Sequence, residues 1–244
     1  MRIKVVVPVF RTPETSWMED EFRKVSEKIK DPGTEFDIIW VKKGVEVATA
    51  RYGILIGGFF GLLELEKAQE EGYDAAITFC AYDPALDAAK EKLDIPVVGL
   101  FESGVHLASM LARSFSILDI DSTEESAKVV FEEILRVYGL DHKLASHRCT
   151  DVPILDIKKK KDSGELQRAL LEAGRKAVEE DGAEALVLGC GALTGLSGYL
   201  QEELGVPVID PAQAAIKLAE DLVKLRLSQS KKAFAKPSER KITL

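Results

Sequence analysis

The 244-residue chain is poor in the features that mark many protein classes. It has no run of about 18 apolar residues, and so no membrane-spanning helix is expected. Its opening, MRIKVVVPVF, enters a β-branched run directly, without the apolar core and small-residue cleavage site of a signal peptide. A cytoplasmic location is the expectation. Basic residues are outnumbered, 33 Lys and Arg against 41 Asp and Glu, for a formal net charge of −8. That balance does not provide the basic face nucleic acid requires. The basic run from Lys158 to Lys161 is short and reads as a solvated loop leading into a helix. Cysteine is scarce: three thiols with no C-x-x-C pair argue against a disulfide framework. The histidines, His106, His142 and His147, do not stand at zinc-site spacing from them, so no metal site is expected. There is no P-loop, no Ser-His-Asp order and no zinc-hydrolase helix, and no lysine has the setting of a pyridoxal phosphate site. No cofactor is expected.

What the chain does have is alternation. β-branched runs at Ile3–Val9, Phe36–Val41, Ala75–Phe79, Val97–Leu100, Phe115–Leu118, Ala185–Leu188 and Val206–Ile209 are separated by amphipathic stretches. Among these are Glu14–Lys30, Thr123–Tyr138, Ser163–Asp181 and Ala212–Leu227. Apolar strands divided by helices predict an α/β architecture, with parallel sheets covered on both faces. Gly57-Gly58-Phe59-Phe60-Gly61 resembles a dinucleotide loop but is not G-x-G-x-x-G, and it reads as close helix packing.

An internal repeat carries the functional signal. Asp74-AAITF-Cys80 is followed by a helical segment and Pro96-VVGL; Glu184-ALVLG-Cys190 is followed by a similar segment and Pro207-VID. In both units an acidic residue precedes the cysteine by six positions. Cys80 to Pro96 is 16 residues and Cys190 to Pro207 is 17. Two related halves, each with a cysteine just past a strand's carboxyl end, would face those thiols across one cleft, where open α/β sheets bind ligands. Two opposed thiols suit proton removal from one face of a carbon and return to the other, since the thiol pKa of about 8.5 lies near working pH. Each cysteine precedes a turn into a helix, whose N-terminus is expected to favour the thiolate. Asp83-Pro84 fits an N-cap and first helical position, and Thr194 or Ser197 fits a cap after Cys190. Gly191 and Ala192 leave backbone N–H groups accessible to a substrate oxygen. Cys149, in HRCTD, has no counterpart in the repeat and reads as packing or loop. Glu102 follows a strand as Cys80 does, with His106 on the same helical face; cleft and structural roles are both open for them.

These residues resemble the hydantoin racemase family of the aspartate/glutamate racemase superfamily, over nearly the whole chain. The likeness rests on EGYDAAITFCAYDPALDAAKEKLDIPVVGLFESG, AEALVLGCGALTGL, GVPVIDPAQAAIKLAEDLV and the tail with Ser230-Lys231. It implies two pseudosymmetric α/β domains with the active site between them, the first formed by residues 1–98 and 210–244 and the second by 99–209. It further implies a cofactor-independent racemase or epimerase with Cys80 and Cys190 as its acid–base pair. Its substrate would be a small molecule, a 5-substituted hydantoin or amino-acid derivative, and the enzyme a homo-oligomer. Substrate-binding positions fall at Pro8, Val9, Thr49, Ala81, Tyr82, Asp119, Gly191 and Ala192. The chain departs from the family pattern at Val7-Pro8-Val9-Phe10, Gly44-Val45-Glu46-Val47-Ala48-Thr49 and Asp119-Ile120. Because those turns grip substrate, two other enzyme readings on the same scaffold stay open, a decarboxylase of malonate derivatives and a cis–trans isomerase of an unsaturated diacid. A non-catalytic binding protein is the third.

Overall fold

The computed structural model describes residues 1–120 and 125–238. Two four-stranded parallel sheets organise it, and both follow one strand order. In the first, β2 (Glu35–Val41), β1 (Arg2–Phe10), β3 (Ala75–Thr78) and β4 (Val97–Gly99) lie side by side. In the second, β6 (Leu144–Cys149), β5 (Phe115–Asp119), β7 (Ala185–Leu188) and β8 (Val208–Ile209) repeat that arrangement. Among the described residues no helix is long and apolar enough to cross a membrane.

Strand alternation explains how both faces of the first sheet are covered. In β1, Ile3, Val5 and Val7 join the core beneath α1 (Trp17–Ile29) and α9 (Pro211–Leu225). Val6 joins the opposite core, under α2 (Arg51–Leu65) and α3 (Leu86–Lys92). Lys4 is buried as well, and its ammonium reaches Glu71 at 2.5 Å. The glycines of α2 let that helix lie on the first strand, since a Cβ on Gly57 would stand 2.6 Å from the Pro8 carbonyl oxygen. The second sheet is sandwiched between α4 (Leu100–Leu111) with α5 (Glu125–Tyr138) and α7 (Glu165–Glu179) with α8 (Ser197–Leu204). Helix α9 packs against β3 and β4, and also against α1 and α4.

The structure corrects several element readings. The start of the expected Thr123–Tyr138 helix, and residues 239–244, lie outside the described residues. Strand β6 went unread because LASHRC alternates small and polar residues, without a β-branched run. The basic run is itself helical, in α6 (Ile157–Asp162), and it is not all solvated. Lys161 bonds Glu21 of α1 at 2.7 Å and lies 5.4 Å from the Trp17 ring centre.

Candidate active site

The two cysteine units are built alike, bond for bond. Phe79 N–H donates to the Val6 carbonyl at 2.8 Å and Gly189 N–H to that of Leu118 at 2.7 Å, ending β3 and β7 equivalently. Ala76 and Leu186 each donate to the proline carbonyl that opens the next strand, both at 2.9 Å. The acidic residues six places upstream have the same task. Asp74 accepts from Arg2 N–H and Glu184 from Arg113 N–H, each at 2.7 Å, fixing where the neighbouring strand begins. Cys80 and Cys190 thus stand just past the carboxyl ends of equivalent inner strands, beside the point where the strand order reverses.

The halves meet through these turns. A Cβ on Gly191 would stand 3.0 Å from Phe79, so the glycine after one cysteine makes room for the ring before the other. Phe79 is steadied from behind by an edge-on contact with Phe22 of α1, 5.3 Å between centroids. Between the sheets lies a cavity with about 780 Å³ of space, part of it open to solvent. Both cysteines line it. Pro8 and Val9 come from the end of β1, Thr49 from the segment before α2, and Ala81 and Tyr82 from the turn after Cys80. Asp119 closes the end of β5, and Gly191 and Ala192 follow Cys190. All ten expected site residues therefore share one cavity wall. Sequence reasoning missed Thr15, Met18, Glu46 and Phe79, which also line it. Glu46 lies in the divergent segment already singled out; Thr15 and Met18 carry no local signal.

Burial governs the electrostatics. It pushes the Cys80 thiol up to about 12, opposed by a hydrogen bond from the Tyr82 backbone and assisted by the charges of Asp83 and Asp119. Burial raises Cys190 too, followed by the Asp119 charge, against a hydrogen bond from the Ala192 backbone. The expected helix-terminus preference for the thiolate is therefore overridden by desolvation. Each thiol has a backbone N–H from the second residue after it, a matched pair of donors awaiting the anion.

Other sequence assignments move. Asp83 does not cap its own helix: Ala85 precedes α3 in the left-handed region, at φ 56°. Its carboxylate instead caps α4, accepting from Phe101 N–H at 3.0 Å, Glu102 N–H at 2.7 Å and the Tyr138 hydroxyl at 2.8 Å. Burial, with the nearby Glu102 charge, raises Asp83 to about 7 against those bonds. In the second half neither Thr194 nor Ser197 caps α8. Asp210 at the start of α9 binds Ala212 N–H at 3.0 Å and reaches back to Gly195 N–H at 2.8 Å in the turn after Cys190. Glu102 and His106 do not line the cavity: Glu102 pairs with buried Lys90, and His106 is exposed, its Nδ1 2.7 Å from the Glu102 carbonyl.

Cys149 is not in a loop. It ends β6, next to Asp119 on β5, with His147 two residues before it on the same face. His147 Nε2 is 3.4 Å from Asp119 Oδ2, and Cys149 Sγ is 3.6 Å from His147 Nδ1 and 3.7 Å from Nε2. Sequence spacing cannot show this group, because two adjacent parallel strands assemble it.

Two matching parallel sheets with a thiol at equivalent strand ends define the class: a two-lobed α/β enzyme with its cavity between the lobes. Residues 57–219 match the Asp/Glu/Hydantoin racemase family. The hydantoin racemase of Paenarthrobacter aurescens is 34% identical over 98% of this chain and 99% of its own length. That of Pseudomonas sp. (strain NS671) is 40% identical over 73% of this chain and 70% of its own. The solved allantoin racemase from Klebsiella pneumoniae superposes with a TM-score of 0.90 at 31% identity, covering 100% of this chain and 96% of that one. The chain belongs to the Asp/Glu/Hydantoin racemase family and is an isomerase of the racemase type.

Proposed function

We propose that the protein racemises 5-substituted hydantoins, with Cys80 and Cys190 as the two acid–base groups and no cofactor. The observation carrying this reading is the pair of thiols at equivalent strand ends on one cavity. In one direction the thiolate of the first cysteine takes the proton from C5. An S–H bond forms, and the C–H electron pair moves into the ring carbonyl as an enolate. The thiol of the second cysteine then delivers its proton to the opposite face, breaking S–H, forming C–H and leaving a thiolate there. The other enantiomer runs the sequence in reverse. The N–H groups of Tyr82 and Ala192 stabilise whichever sulfur is anionic.

Charge favours a neutral ring over the competing substrates. Among the described lining residues there is no lysine or arginine, while Glu46 and Asp119 bring carboxylates to the wall. A free amino acid needs a counter-charge for its carboxylate, and a malonate or unsaturated diacid needs two. A hydantoin carries none. The polar groups it requires are amide partners, such as the hydroxyls of Thr15 and Thr49.

Incubation in deuterated water with hydantoins, free amino acids and an arylmalonate tests this reading. Loss of optical rotation with deuterium at C5 of a hydantoin is expected. Carbon dioxide release from the malonate, without racemisation of any hydantoin, would overturn it.

A further inference from the structure

We infer that Asp83 and Asp210 are positioning residues for the two thiols, each tying one cysteine turn to a helix that covers the opposite sheet. The inference rests on the two-thiol reading above and extends it to how the thiols are held in place.

The two halves make the same link with the partners exchanged. Asp83 stands three residues after Cys80, where the second half has Leu193 three residues after Cys190. Both N–H groups donate to the carbonyl of their own cysteine at 3.0 Å, so the two positions are structurally equivalent. Asp210 stands three residues after Pro207, where the first half has Gly99 three residues after Pro96. Gly99 and Asp210 directly precede α4 and α9, both with extended backbone. In each half one carboxylate joins the cysteine turn to the start of the following helix. It comes from the turn in the first half and from the helix start in the second. Gly99 leaves room for it, since a Cβ there would stand 2.5 Å from Asp83 Oδ1.

The hydrogen bonds follow that exchange. Asp83 accepts from Phe101 and Glu102, the second and third residues of α4, which are the donors a capping side chain in place of Gly99 would take. Asp210 Oδ1 accepts from Ala212, the second residue of α9, and lies 3.3 Å from the Thr194 hydroxyl. Its Oδ2 accepts from Gly195 in the cysteine turn at 2.8 Å. Both carboxylates are buried, and a buried donor left without its acceptor is costly, so neither turn is free to shift.

Each link crosses between the lobes. Phe101, Val105 and Ala108 of α4 belong to the core of the second sheet, whereas Cys80 follows a strand of the first. Ala212, Ala215 and Ile216 of α9 belong to the core of the first sheet, whereas Cys190 follows a strand of the second. The two carboxylates together therefore set the gap across which a proton is taken and returned. The first turn depends on its link the more. Asp83 and Ala85 both have positive φ, 43° and 56°, while the position matching Ala85 is Gly195, at φ 88°. Non-glycine residues keep that conformation where their surroundings hold them, and the Asp83 bonds supply the hold.

Labelling of the full-length protein with a neutral maleimide, read at each cysteine by mass spectrometry, tests the inference without substrate. At pH 6 the Asp83 carboxyl, raised by burial to about 7, is largely neutral, so a change at Cys80 reports position and not lost charge. Asp83→Ala should speed labelling of Cys80 by about tenfold and leave Cys190 within about twofold, and Asp210→Ala should do the reverse. Each should lower kcat for a hydantoin by about tenfold with KM nearly unchanged. Each should also make one enantiomer exchange its C5 proton faster than it inverts, and the two variants should differ in which enantiomer. Circular dichroism identifies a variant that fails to fold, and the asparagine variant, which keeps one acceptor oxygen, then takes its place. Equal acceleration at both cysteines, or none, in folded variants would overturn the inference. If the wild-type protein racemises no hydantoin, the substrate reading falls instead, and the labelling pattern still decides the role of the carboxylates.

Discussion

The Cys80 half and the Cys190 half share strand order, end their inner strands with the same hydrogen bonds and place their thiols at matching points. They differ in what surrounds those thiols. A bulky Phe79 precedes Cys80, whereas Gly189 precedes Cys190. The buried carboxylate of the first half, Asp83, leaves the cysteine turn to cap α4; that of the second, Asp210, sits on α9 and reaches back into the turn. The end of β5 carries Asp119, while the equivalent position of β1 carries Val7. The duplicated backbone thus sets the opposition of the thiols, and the diverged side chains make their environments unequal. The Asp119 charge ranks second only to burial in raising Cys190, whereas on Cys80 it comes after the charge of Asp83.

Replacing the thiols tests the comparison most severely. Cys80→Ser and Cys190→Ser should each lower racemisation by about 10²- to 10⁴-fold, the usual contribution of a general acid or base. Each variant should still exchange the C5 proton of one enantiomer for deuterium without inverting it, and the two should favour opposite enantiomers. Exchange of the same enantiomer by both, or racemisation at the wild-type rate by either, would end the idea of two opposed halves.

The contact between the turns comes next. Gly191→Ala puts a Cβ 3.0 Å from the Phe79 ring, so one cysteine turn must yield. The required shift is a few tenths of an ångström, and because a misplacement of about 1 Å costs about 10²-fold, the loss here should be smaller than that. The fall should appear in kcat with the thermal midpoint nearly unchanged, and an unaltered kcat would show that the two turns do not position one another.

Asp83→Asn probes the unequal carboxylates through pH. Folding raises Asp83 from 3.8 to about 7, so its stabilising effect is complete below about pH 4 and is lost as pH rises through 7. The asparagine variant cannot titrate there. Its stability should therefore gain on wild type by up to about 4 kcal/mol between pH 4 and pH 8, read as a growing difference in thermal midpoint. A constant difference across that range would show that Asp83 titrates normally. The pH dependence of the cap bonds is already contained in the folded-state value, so only the slope of the difference with pH is read.

The smallest effect belongs to Arg51 and Glu133, which join α2 to α5 across the halves at 2.6 Å but are largely exposed. Arg51→Ala should shift stability only slightly, and less again in high salt. A larger loss in chemical denaturation would mean that surface charge helps hold the halves together.

Much of the site was legible because its signal is local. A strand, a cysteine at its end, a helix and a proline-led strand form a pattern spaced along the chain, and its recurrence marks Cys80 and Cys190 without coordinates. The altered turns at Pro8, Thr49 and Asp119 were visible for the same reason. Asp83 shows where local reading fails: Asp-Pro before a helix fits an N-cap, yet the carboxylate finds its donors on Phe101 and Glu102, 18 and 19 residues on. Cys149 and His147 escaped because β6 lacks the apolar periodicity of a buried strand, although it pairs with β5.

The sequence by itself determined the α/β class, the duplication and the two thiols, because strand and helix periodicity and strand-end position are properties of neighbouring residues. Only the tertiary structure decided that both thiols are pushed up by burial, that Phe79 fits the space left by Gly191, and that Asp119 meets His147 and Cys149. Desolvation, steric fit and side-chain contact depend on atoms brought together from 28 to 112 residues apart, and no short stretch of chain encodes them.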